Sequence, residues 1–135
     1  MRSVAILMAL VFVANVAPAS GAGSPGFHSP SGNIVCIQNE VAVDCDLQAT
    51  TNGRPPRPPS CRFDYGYRYR IYPGLSRGRR LCTSDALGGA GLPTLRYGHT
   101  WTRAGIVCTS RRSGVTCRNH QDHGFFLSKA RQRVF

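Results

Sequence analysis

Two stretches of the chain spell nearly the same pattern. GNIVCIQNEVAVDC (32–45) and AGIVCTSRRSGVTC (104–117) both read I-V-C-x₈-C, with valine two residues before the second cysteine. In an antiparallel hairpin with an even-residue loop, positions equally far from the turn face each other. A cysteine at each end of such a ribbon therefore falls on one cross-strand pair, close enough for a bridge. Asn39-Glu40 and Arg112-Ser113-Gly114 supply residues that turns accept. The spacing predicts the disulfides Cys36–Cys45 and Cys108–Cys117, which leaves Cys61 and Cys82 to form a third.

Between Cys61 and Cys82 lies YGYRYRIYPG (65–74), where Tyr67, Tyr69 and Ile71 alternate with Arg68, Arg70 and Tyr72. A period of two predicts a strand with an apolar face on the core and a basic face in solvent. Pro73-Gly74 ends it in a turn. TTNGRPPRPPS reads as a stiff, extended connector, and ALGGAGLP (86–93) as a flexible loop. Helical periodicity is missing beyond a possible turn at SKARQRVF, where Ser128 could act as a cap. The expected fold is all-β: a small disulfide-stapled domain of six to eight strands, built from three hairpin units, two of them forming an internal pseudo-repeat. Each bridge contributes about 2.5–3.5 kcal/mol by chain-entropy arithmetic, against a net domain stability of roughly 5–15 kcal/mol. Reduction should therefore unfold the domain or nearly so.

Residues 1–22 read as a secretory signal peptide: a basic start at Arg2, the apolar run VAILMALVFVANVA, then APASGA with cleavage points after Ala19 or Ala22. The run is short for a bilayer span, which needs roughly 20 residues, and no cysteine follows it to carry a lipid. Residues 23–135 are then a single secreted β domain, placed outside the cell or in the envelope, with no transmembrane segment after signal removal. An even count of six cysteines in an exported chain argues for three disulfides rather than free thiols.

The whole chain carries a formal +11, and loss of Arg2 leaves fifteen arginines and Lys129 as the cations of the mature domain. Such a field favours anionic partners, although solubility alone could also account for it. Arg68, Arg70, Arg79, Arg80, Arg111 and Arg112 are the candidate anion-binding residues, because planar guanidinium groups recognise phosphate and carboxylate. Arginines interleaved with tyrosines also suit nucleic acid, but export makes that partner less fitting than an anionic envelope polymer or a protein.

SPSGNIVC (29–36), VDCD (43–46), YGHTW (97–101), GVTCRN (114–119) and HGFFLS (123–128), taken in order, resemble a family of small secreted six-cysteine bacterial domains. The family occurs chiefly in actinobacteria and in some proteobacteria and has no assigned function; the resemblance runs from Phe27 to Phe135. It implies an exported, mostly β domain with no cofactor and no established activity. This chain departs from the family pattern twice. Asp122 stands where glycine usually precedes HGF, and QATTNG follows CD where a tryptophan is usual.

The stretch CRNHQDH (117–123) places Cys117, His120 and His123 at C-x₂-H-x₂-H spacing with Asp122 among them. Zinc would need the Cys117 thiolate, which the hairpin spacing assigns to a disulfide, so no metal is expected. HGF reads instead as structural, with Gly124 turning the chain, Phe125 or Phe126 entering the core and His123 a partly buried, hydrogen-bonded imidazole. A small ribonuclease would need a base and an acid about a phosphate. The candidates His28, His99, His120, His123 and the single glutamate, Glu40, show no spacing that joins them apart from the local His120/His123 pair, the residues a hydrolase would use. No G-x-S-x-G motif occurs, and no catalytic residue is assigned. Trp101 with Tyr97 and His99 could stack on sugar, but a lone tryptophan in a small β domain belongs more often to the core. The sequence favours a non-enzymatic binding module. The alternatives are a histidine-dependent secreted hydrolase and an inhibitor-type ligand that presents Arg111-Arg112 to a protease.

Overall fold

A computed structural model describes residues 23–74 and 76–135; the proposed signal segment lies outside them. The strands are β1 (Gly26–His28), β2 (Ile34–Gln38), β3 (Val43–Leu47), β4 (Tyr65–Ile71), β5 (Arg79–Cys82), β6 (Thr100–Arg103), β7 (Ile106–Arg111), β8 (Gly114–Arg118), β9 (Gly124–Leu127) and β10 (Gln132–Val134). They form two five-stranded antiparallel meanders, β1-β2-β3-β4-β5 and β10-β9-β8-β7-β6. The inner faces of the two sheets share one core. The fold is all-β, with more strands than the sequence suggested because three- and four-residue strands leave almost no periodic signal.

All three expected disulfides are present. Cys36 faces Cys45, and Cys108 faces Cys117, as direct cross-strand partners. The sequence echo extends across both sheets. In the first, one rung runs Phe27–Cys36–Cys45–Tyr69. In the second, the matching rung runs Trp101–Cys108–Cys117–Phe125. Each disulfide thus lies between two aromatic neighbours, and the two rungs stack on each other. Cys45 and Cys117 bring their sulfurs to 3.9 Å, Phe27 meets Trp101 edge-on at 5.3 Å, and Tyr69 meets Phe125 at 5.9 Å. All eight side chains are at most 1 % exposed. Sulfur and aromatic faces are polarizable and pack densely, so a thin core gains contact energy where little aliphatic volume is available.

The third bridge plays another part. Cys61 precedes β4, and its bond to Cys82 ties the proline-rich connector to the edge strand β5. The same connector crosses β4 at a bulge between Tyr65 and Arg68. Gly66 sits there at φ +85°, and a Cβ on it would stand 2.5 Å from Pro55 Cδ. Only glycine supplies both that backbone geometry and that clearance. The bulge also corrects one expectation. Tyr67 leaves the apolar face, and its hydroxyl donates to the carbonyls of Thr83 and Asp85. Tyr69 and Ile71 keep their core positions.

The C-terminal segment is a hairpin rather than a helical turn. Ser128 Oγ accepts from the Arg131 N–H across the turn between β9 and β10, after which Gln132–Val134 pairs with Phe125–Leu127. The loop expected to be flexible is held against the first sheet, where Leu87 N–H donates to Asp46 Oδ2 and His28 Nε2 bonds the Gly89 carbonyl.

Candidate anion-binding surface

The six candidate arginines separate into three situations. Arg68 and Arg70 do not form the expected solvated face. Alternation points Asp44 and Asp46 outward from β3, since Cys45 between them points in, and β4 lies alongside with Arg70 opposite Asp44 and Arg68 opposite Asp46. Arg68 Nε and Nη2 donate to Asp46 at 2.7 and 2.9 Å. Arg70 does the same to Asp44, at 2.6 Å for both bonds. Asp46 is 1 % exposed and Arg68 8 %, beneath the loop whose Asp85 carbonyl also accepts from Arg68. The carboxylate hydrogen bonds raise both guanidinium pKa values above their ordinary level, against the opposing effect of burial. These two cations are occupied in holding the outer face of the first sheet.

Arg79 and Arg80 lie on β5. Arg79 is exposed, whereas Arg80 is half-buried with its guanidinium 5.7 Å from the Tyr69 ring. Arg111 closes β7 and Arg112 begins the two-residue turn that joins it to β8, and both are exposed. With Arg79 they are the candidates that the fold leaves exposed, and Arg112 is stacked 5.0 Å over Tyr97.

Around that turn the structure gathers cations that the sequence reading passed over. Thr109, Arg111, Thr116 and Arg118 border a hollow of about 200 Å³ on the outer face of the second sheet. Arg131 and Arg133 are also exposed on that side, and their guanidinium groups lie 5.1 and 4.9 Å from Phe126 and Phe135. Arg112, Arg96 and Tyr97 border a second hollow of about 330 Å³. Between the sheets, at the same end, a cleft of about 510 Å³ is bordered by Arg111, Arg112 and Lys129. Period-two spacing of Arg131 and Arg133 was the available signal, and it was assigned to a helical turn.

The C-x₂-H-x₂-H stretch is organised by an asparagine. Asn119 is 4 % exposed; its Nδ2 donates to the carbonyls of Tyr72 and Ser76, and its Oδ1 accepts from the N–H groups of Gln121 and His123. Cys117 is bonded to Cys108, so its thiolate is not offered to a metal. The three sulfurs that do cluster, those of Cys36, Cys45 and Cys117, all belong to disulfides. His120 is exposed, and the hydrogen bonds at His123 run through its backbone. Asp122 has φ +59°, which supplies the physical reason for glycine at that position in the resembled pattern. Phe125 enters the core while Phe126 remains half-buried. Trp101 is buried, its Nε1 donating to Ser24 O, so it offers no ring face for stacking. Glu40 is exposed at the tip between β2 and β3.

Two five-stranded meanders, joined at the core by stacked aromatic–disulfide rungs, define a disulfide-stapled β-sandwich domain with a crowded cationic end. The chain belongs to DUF6636, a family of unknown function whose model matches residues 4–135. No curated protein and no solved structure matches it. Among the described residues, no helix is long and apolar enough to cross a membrane.

Proposed function

We propose that this protein is an exported, non-enzymatic module that binds an anionic component of the cell envelope through the cationic surface of its β6–β10 half. Three disulfides in so small a domain fit an oxidising compartment. The observation that carries the reading is charge segregation. Residues 86–135 hold eight basic side chains against one acid, Asp122. That acid is 86 % exposed and lies 3.8 Å from Arg118, a separation and exposure that neutralise little. The hollows about the β7–β8 turn share Arg111 and Arg112, so the cations form one connected surface rather than isolated points. An extended polyanion placed across it would meet guanidinium groups over its whole length.

The test is retention of the disulfide-bonded protein on poly(glycerol phosphate), with dextran as the neutral control, over a salt series. Affinity should fall steeply with salt. Replacing Arg111, Arg112 and Arg118 by glutamine should flatten the log–log slope by about two units. Affinity independent of salt, or equal retention on dextran, refutes the reading.

A further inference from the structure

We infer that the cleft between the sheets is a discrete binding site for a single anionic sugar or polyol unit, the ring or chain carrying a phosphate or carboxylate. The inference rests on the proposed anion-binding role and names the unit that would be read.

The site follows from the pseudo-twofold arrangement of the fold. The β2–β3 and β7–β8 tips project from opposite ends of the sandwich, because β2 begins at the end where β7 finishes. The end holding the β2–β3 tip is closed by hydrogen bonds between the halves: Arg103 Nε donates to Gln38 Oε1 at 2.9 Å, and Asn119 ties β8 to the segment after β4. At the other end the turn between β1 and β2, the β7–β8 tip and the turn after β9 stand apart. The space between them is the cleft of about 510 Å³, within the usual size range of small-molecule sites, roughly 300–1,000 Å³.

The chemistry of the wall selects the ligand. Among the described residues, three cations, Arg111, Arg112 and Lys129, border the cleft, and no carboxylate does. Both arginines and the lysine are exposed, so their charge is available to an entering anion. Ser31, Ser113 and Gln48 add hydroxyl and amide groups suited to ligand hydroxyls. Apolar lining is limited to Ile34 and Val115 with the ring of Tyr97, too little to hold an acyl chain. A nucleobase would want the Tyr97 face, which the Arg112 guanidinium covers at 5.0 Å. A compact, hydroxylated anion satisfies the whole wall.

The experiment is a ¹H–¹⁵N titration of the intact, disulfide-bonded protein with glucose 1-phosphate, glucuronate, glucose, inorganic phosphate and AMP. Saturable shifts at the amides of Gly32, Ser113, Gly114 and Lys129 are expected with glucose 1-phosphate or glucuronate, and none with glucose. The better of the two anions shows whether phosphate or carboxylate is the natural group. Arg112→Gln and Lys129→Gln should each weaken binding about fivefold or more, whereas Arg79→Gln, on the far strand β5, should leave it unchanged. All three positions are exposed, and unchanged melting temperatures will show that folding is intact. Inorganic phosphate or AMP binding as tightly as the sugar anions, or shifts confined to Thr109 and Thr116 on the outer face, would overturn the inference. Polymer retention with no sugar-anion binding removes the cleft site while leaving the proposed function standing. Sugar-anion binding without salt-dependent polymer retention removes the proposed function instead.

Discussion

Removing the carboxylate of Asp46 should destabilise the domain strongly, while removing its ion pair entirely should not. Asp46 accepts three hydrogen bonds, two from Arg68 and one at 2.7 Å from the Leu87 N–H. The side chains of the pair are 1 % and 9 % exposed. Asp46→Ala leaves a guanidinium without its counter-charge under a loop and strands a backbone donor. Breaking a buried pair this way costs about 3–5 kcal/mol, a large part of a net stability of roughly 5–15 kcal/mol. At about 3–5 °C per kcal/mol for a domain of this size, the melting temperature should fall by about 10–20 °C. The double substitution Asp46→Leu with Arg68→Met removes both charges and refills the volume, leaving mainly the Leu87 N–H unpaired, at about 1 kcal/mol. The Arg70–Asp44 pair, with its arginine 27 % exposed, should cost less to break, about 1–2 kcal/mol. Both guanidinium pKa values are raised in the folded state. Their contribution is therefore complete below the unfolded-state value and is lost only as pH rises through the higher folded-state value, far into alkali. Urea unfolding of the oxidised protein, with the slope m held common, measures each variant. If Asp46→Ala costs under 1 kcal/mol, or the double variant is no better than the sum of its singles, the ion pair is not the element that holds this face.

Three further outcomes follow from the packing. Mild reductant should open Cys61–Cys82 first, because Cys82 is exposed while the other two bridges are fully buried; mass mapping after timed alkylation reads the order, and the chain-entropy loss from that 21-residue separation is about 3 kcal/mol. Asp122→Gly should stabilise the protein by about 0.5–1 kcal/mol in thermal unfolding, since it relieves a left-handed backbone at φ +59° and gives up only the 3.8 Å pair with Arg118. Gly78→Ala should destabilise by at least about 2 kcal/mol, because the new Cβ would stand 1.9 Å from Gly124 O; wild-type stability in urea would refute a packing role for this glycine.

The disulfide rungs were legible because hairpin geometry turns sequence spacing directly into facing positions. The aromatic ends of those rungs were not, since Phe27, Tyr69, Trp101 and Phe125 lie outside the repeated I-V-C-x₈-C stretches. The pairing of Arg68 and Arg70 was accessible in principle. If Cys45 faces inward, Asp44 and Asp46 must face outward, and D-x-D can lie beside R-x-R with the same period of two. What hid it was strand adjacency: nothing local says that β3 and β4 are neighbours across the long proline-rich connector. Tyr67 was misplaced because a bulge breaks the alternation, and only the glycine at 66 hinted at one. Of the surface about the β7–β8 turn, Arg111 and Arg112 were found at a recognisable hairpin tip. Lys129 and Arg96 join them only through tertiary contacts between turns distant in sequence.

The two halves carry the same number of cations, so it is the acids that decide where the charge is free. Residues 23–85 hold eight basic side chains and five acids, while residues 86–135 hold eight basic side chains and one acid. In the first half two of the acids sit on β3 directly across from arginines of β4, and a loop closes over one pair. On β8, the strand that corresponds to β3 in the second half, the residues flanking Cys117 are Thr116 and Arg118 instead of aspartates. Among the described residues, the equivalent outer face therefore has no carboxylate on its strands, only the exposed Asp122 at 3.8 Å from Arg118, and no covering loop ion-paired to it. A cationic β face without its own carboxylates is costly to assemble through self-repulsion, and an external anion relieves that cost. The same pseudo-repeat thus yields one sheet whose arginines stabilise the fold and one whose arginines remain available to a ligand.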